Sequence, residues 1–168
     1  DGFMDSMDGL LSAQPRERTL EIMKDSHVGA HAVISLAGLL ILKFSLLASL
    51  TPQHSEILIL MPVVSRWFVL FAILYFPYAR DKGLGKGFHE TPPKTSFVFS
   101  GAGVLLLTAY LLQLAGLMVV LFTGVVLGLW LYHVAKRLEG LTGDLYGATI
   151  EICEVLFLLM AFIPAYQL

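Results

Sequence analysis

The sequence predicts an all-α protein, a polytopic integral membrane helical bundle of about five transmembrane helices preceded by short interfacial helices. Three observations predict it. Mean hydropathy is +0.77, with 57% of residues hydrophobic and 14% charged, where a soluble domain carries roughly 25% charged residues. Five stretches, 29–50, 57–78, 97–114, 117–135 and 147–164, are long and apolar enough to cross a bilayer, which takes about 20 helical residues. The basic residues are segregated between those stretches.

That segregation sets the topology. Residues 1–27 carry Arg16, Arg18 and Lys24; residues 79–96 carry Arg80, Lys82, Lys86 and Lys94; residues 136–146 carry Lys136 and Arg137. The connections at 51–56 and around Gly116 hold no Lys or Arg. Alternating spans place the three charged stretches on one side, and their basic excess makes that side cytoplasmic. Lys43 and Arg66 are the exceptions, inside spans. The 168 residues suit one membrane-embedded domain, with 1–27 cytoplasmic or interfacial and 29–164 the bundle. A net charge of −2 gives no case for a nucleic-acid partner, and the lone Cys153 allows no internal disulfide. The chain starts at Asp1 without a basic-then-apolar leader, so an upstream part is expected.

Within 1–27 two short helices are expected. Residues 1–10 form the first, a break falls at Ser12 to Pro15, and 15–25 form the second, because Pro fits the first helical turn. Asp25 or Ser26 is placed to cap the first membrane helix.

The acidic residues come in helical registers. Asp1, Asp5 and Asp8 are four and three apart, so they share a face. Like charges on one face repel unless a cation lies between them. Hard oxygen ligands suit Mg²⁺, which takes one or two carboxylates and fills its shell with water and phosphate oxygens. A solvated acidic face is the plain alternative, but Phe3, Met4 and Met7 between the aspartates make the other face apolar. Asp144, Glu151 and Glu154 are seven and three apart and also share a face. The two glutamates fall in the apolar run ICEVLFLLMAF, where ionised groups face a cavity or a partner. They fit further ligands, a proton acceptor, or partners for Arg66 and Lys43. Glu21 and Asp25 are spaced four apart.

Among the cations, YARDKGLGKGF (78–88) alternates Arg80, Lys82 and Lys86 with glycines. That pattern suits phosphate, through backbone N–H groups and charge, but it is no Walker loop. Arg66 lies about nine residues, or roughly 14 Å, into its span, a depth that marks a functional-site candidate. Lys43 is close enough to the far interface to snorkel. His27 and His31 are four apart but lack a third ligand, so they suit a polar lining. A phosphate-bearing substrate on the cytoplasmic side would thus meet acidic and basic groups together. Phosphoryl transfer asks mainly for that positioning and charge neutralisation.

Four ordered segments, DGFMDSMDGLL, RTLEIMKDSHVGAHAV, YARDKGLGKGF and LTGDLYGATIEICE, closely resemble the cobalamin synthase family, the adenosylcobinamide-GDP ribazoletransferases. The resemblance spans nearly the whole chain. It implies an integral enzyme of the inner membrane, Mg²⁺-dependent, acting in the last steps of vitamin B12 assembly. The implied reaction joins adenosylcobinamide-GDP to α-ribazole or its 5′-phosphate and releases GMP. On this chain it implies Mg²⁺ held by Asp1, Asp5, Asp8 and Asp144, with Asp25 a further candidate. Substrate contacts would come from Lys24, Arg66, Arg80, Lys82, Lys86 and Glu151. Asp8, Asp25 or Asp5 would do the catalytic work, Asp25 or Asp8 as proton acceptor. Family members carry a further apolar N-terminal region, so one or two membrane segments are expected to precede Asp1. Other side chains are common at the positions of His27 and His31. The bilayer is the expected partner, and a homo-oligomer is left open. Two rival readings remain. CDP-alcohol phosphotransferases share Asp5-Ser6-Met7-Asp8-Gly9 but need an Ala-Arg soon after and a later GxxxDxxxD, which this chain lacks. A transport protein would spread its charges along a path across the bilayer.

Overall fold

The structure, a computed structural model, describes residues 1–51, 55–80, 86–87, 94–160 and 162. Those residues form helices α1 (Gly2–Leu11), α2 (Arg16–Ile22), α3 (Ala30–Ala48), α4 (Glu56–Tyr75), α5 (Lys94–Leu138) and α6 (Gly143–Met160). The all-α expectation holds among them, and the two short N-terminal helices lie close to where they were expected.

The span count needs correcting. Among the described residues three helices are long and apolar enough to cross a membrane, α3, α4 and α5, against the five stretches expected. The shortfall has two physical reasons. The stretches 97–114 and 117–135 are the two arms of the 45-residue α5, counted once because they are joined through a break at Gln113 (φ 53°, ψ −147°). A Cβ on Gly101 would lie 2.8 Å from the Trp67 Nε1, and one on Gly124 would lie 3.0 Å from the Phe68 Cζ. Gly101 and Gly124 would stand about 35 Å apart on a straight helix. Only a chain that doubles back at Gln113 brings both against neighbouring residues of α4. The reversal therefore falls at Gln113, not at Gly116, which packs on Leu112 and Thr108. The fifth expected stretch lies in α6, 18 residues carrying Asp144, Glu151 and Glu154, which is too polar to qualify.

Helix α4 is the centre of the bundle and packs against α5 and, most heavily, α6. Leu60, Val64, Phe68 and Ala72 recur every four residues along its buried side, in one core with Leu127, Leu131, Leu145 and Phe157. On the α5 side the Trp67 ring stacks on Phe97 at 5.4 Å, beside an apolar groove of about 770 Å³ between α4 and the two arms of α5.

Described residues of the three charged stretches meet at one end of the bundle, in keeping with the distribution of basic residues. Ala79 N–H donates to the Leu141 carbonyl and Leu141 N–H to the Pro77 carbonyl, each at 2.8 Å. Gly140, at φ +144°, permits this pairing, since a Cβ there would sit 2.7 Å from the Pro77 oxygen. Arg16 donates to the carbonyls of Leu138 (2.8 Å) and Ala79 (3.2 Å), and Arg137 to that of Leu10 (2.8 Å). Two arginines that charge patterning treats as surface thus stitch the N-terminal helices to the ends of α4 and α5.

Candidate functional site

Helix α1 presents two faces. Phe3, Ser6 and Gly9 are buried, while Asp5 and Asp8 are half-buried on the other side. The buried face lies against the start of α6 at close range. A Cβ on Gly2 would stand 2.8 Å from the Asp144 carbonyl oxygen, and one on Gly147 would stand 3.5 Å from the Gly2 Cα. Two glycines therefore let the helices approach until the first-turn carboxylate of α6 comes beside the acidic face of α1.

The electrostatics show that approach. The Asp5 carboxyl is held above the usual carboxylate range, first by burial, then by the negative charge of Asp144, with Asp8 adding to it and Arg80 opposing it. Arg80 is 12% exposed, and its Nη2 lies 2.9 Å from the Asp144 Oδ2. That contact is off the N–H direction: neither Nε nor Nη2 of Arg80 makes a directed hydrogen bond among the described residues. Buried guanidinium N–H groups without acceptors are costly, and phosphate oxygens are matching acceptors.

Asp8 does more than sequence suggested. Its Oδ2 accepts from Gly29 N–H (2.9 Å) and its Oδ1 from Ala32 N–H (3.4 Å), which caps α3. The expectation of Asp25 or Ser26 as the cap is corrected by this. A carboxylate there contributes about 1 kcal/mol through the orphan N–H groups and lies at the positive end of the helix. Gly29 makes room for it, because a Cβ would fall 2.1 Å from the Asp8 Oδ2. Asp25 instead accepts from the His27 N–H (3.0 Å) and faces its ring Nδ1 at 2.6 Å. Those hydrogen bonds hold its carboxyl below the usual range.

The remaining candidates divide. Asp1 precedes α1 and is exposed, as are Lys24 and Lys86. Lys82 lies outside the described residues. Arg66 and Glu151 are away from the Asp5–Asp144 pair and have partners within the bundle. Lys43 Nζ lies 2.9 Å from Glu151 and 2.7 Å from Glu154, and Arg66 pairs with the other oxygen of Glu154. Lys43 is 16% exposed and grips two acids, so it does not snorkel. Of the readings the sequence left open for Glu151 and Glu154, partnership with Lys43 and Arg66 is the one these contacts match, across 108 and 88 residues of chain.

The fit to Mg²⁺ can be judged on these donors. Among the described residues no three His, Cys, Asp or Glu groups close a metal shell by themselves. Mg²⁺ asks for one or two carboxylates, and Asp5 and Asp144 are two that repel each other. A divalent cation would relieve that repulsion, so the donor set fits.

A sequence profile of the family described as cobalamin-5-phosphate synthase matches residues 1–162. The chain belongs to that family. It is 52% identical over 168 residues to the adenosylcobinamide-GDP ribazoletransferase of Desulfitobacterium hafniense (strain Y51), covering 96% of this chain and 66% of that protein. It is 42% identical over 163 residues to the enzyme so named in Brevibacillus brevis, covering 95% and 66%. For that of Roseiflexus sp. the identity is 37% over 161 residues, covering 94% and 59%. The chain thus spans about two thirds of the length of these cobalamin-5-phosphate synthase relatives. No solved structure matches it.

Proposed function

We propose that this chain carries the catalytic site of an adenosylcobinamide-GDP ribazoletransferase in the inner membrane, facing the cytoplasm. The reaction transfers the adenosylcobinamide-phosphate group to α-ribazole, or its 5′-phosphate, and releases GMP. A ribose hydroxyl oxygen of the acceptor forms a bond to the phosphorus on the cobinamide arm. The bond from that phosphorus to the GMP oxygen breaks, and the hydroxyl proton passes to a carboxylate. Of the two candidates, Asp8 shares the α1 face of Asp5, whereas the Asp25 carboxylate is taken up by the His27 N–H and ring.

Asp5 and Asp144, with Asp8 and Asp1 on the same α1 face, would hold Mg²⁺, which would neutralise the pyrophosphate. Arg80 would turn its unmatched N–H groups to a phosphate oxygen. Lys86, Lys82 and Lys24 would meet the outer phosphates and the nucleotide. Acids from both ends of the chain beside one buried, under-bonded arginine are the observation that carries this reading, and family membership supports the choice of substrates.

The test is to incubate membranes holding the protein with adenosylcobinamide-GDP, α-ribazole and Mg²⁺ and to measure GMP. GMP release that requires all three is expected. No GMP, with turnover of CDP-diacylglycerol in a parallel arm, would contradict the proposal and favour a lipid phosphotransferase.

A further inference from the structure

Helix α3 has a single fully buried residue, Ala32, and packs on α1 and α6, with Leu46 against the core. Two polar ties hold it. Asp8 caps its start, and Lys43, near its other end, reaches across to Glu151 and Glu154 of α6. The acids along one face of α6 all meet cations from other segments. Asp144 meets Arg80, Glu151 meets Lys43, and Glu154 lies between Lys43 and Arg66. Ser65 of α4 donates to Glu154 as well. Surrounded by apolar helices, these groups have little water to replace a lost partner. The pairing therefore fixes where α6 stands along its axis, since a slip of one residue shifts every acid by about 1.5 Å.

We propose that Lys43 is a positioning residue for the candidate site: by gripping Glu151 and Glu154 it sets the height of α6, and so the placement of Asp144 against Asp5 and Arg80. Lys43 touches no substrate. Glu151 stands about 10 Å along the same rigid helix from Asp144, so displacement at one acid is carried to the other. The inference rests on the metal-dependent transferase reading.

The test measures the Mg²⁺ dissociation constant of the detergent-solubilised protein by calorimetry. A residue that merely braces the bundle would change unfolding but leave that constant alone. Lys43→Met is expected to weaken Mg²⁺ about tenfold, close to 1.4 kcal/mol, and Lys43→Arg to stay within about twofold of wild type. Glu151→Gln keeps the Glu154 contact and is expected to weaken Mg²⁺ about threefold; it decides the matter if Lys43→Met does not fold. Wild-type affinity in both Lys43→Met and Glu151→Gln would overturn the inference and leave the transferase reading standing. A wild-type protein that binds no Mg²⁺ would overturn the metal reading and this inference together.

Discussion

Two charge clusters on α6 differ in one respect that separates their roles. At the start of the helix, among the side chains of the described residues, Asp144 joins Asp5 and Asp8 against the guanidinium of Arg80. Farther along, Glu151 and Glu154 are matched by Lys43 and Arg66, two against two. The second cluster is balanced and closes on itself. The first has an acid excess and an arginine with unmatched N–H groups. A balanced cluster within a bundle holds helices together, whereas an unbalanced one at its end has room for a cation and an anion. Neutralising an acid should therefore have opposite signs in the two places.

The largest effect is expected from Glu154→Ala, which leaves Lys43 with Glu151 alone and Arg66 without an acid, holding only the Ser65 hydroxyl and the Pro62 carbonyl. Removing one side of a buried pair costs about 3–5 kcal/mol. The lower end applies, because the Arg66 side chain is 58% exposed. Denaturation in detergent should show a loss of about 3 kcal/mol, and an unchanged midpoint would break the contrast.

Next comes Gly29→Ala, whose Cβ would displace the Asp8 carboxylate from the start of α3. A loss of about 1–2 kcal/mol is expected, the size of a lost cap, read from the same denaturation curves. Asp5→Asn should act in the other direction. Removing a carboxylate repelled by Asp144 should stabilise the metal-free protein by about 0.5 kcal/mol, the scale of one like-charge pair, while abolishing Mg²⁺-dependent GMP release.

The pH dependence follows from the same residue. The folded protein holds the Asp5 proton more tightly than the unfolded chain does. Metal-free stability should therefore fall as pH rises from the ordinary carboxylate pKa through the folded value. Asp144→Asn removes one cause of the shift and should flatten that fall, which unfolding midpoints across the acid range would record. The smallest effect is at the α5 reversal. Gln113 holds a backbone conformation that favours glycine, so Gln113→Gly should gain up to about 1 kcal/mol.

Much of this architecture was legible in residue order. The basic residues marked which stretches share an end, and Arg16 and Arg137 bind those stretches together there. The four-and-three spacing of Asp1, Asp5 and Asp8 gave the acidic face of α1, with Phe3, Ser6 and Gly9 buried opposite. What stayed hidden depends on distant partners or on backbone detail. Local rules look for a cap next to its helix, and the cap of α3 comes from 21 residues upstream. Glu154 offered three readings, and only the fold shows Lys43 and Arg66 on either side of it. The α5 turn was expected at a glycine, yet the chain reverses at a glutamine. The two arms joined there correspond to the stretches 97–114 and 117–135, which lie side by side against α4.

The most direct test of the central claim, that Asp5 and Asp144 share a divalent cation, is the thermal unfolding midpoint of the purified protein as Mg²⁺ is added. The wild-type midpoint should climb with Mg²⁺ concentration, because a ligand bound only by the folded state stabilises it. Asp144→Asn should show little or no climb. An equal climb in Asp144→Asn and wild type would place the ion elsewhere and contradict the account.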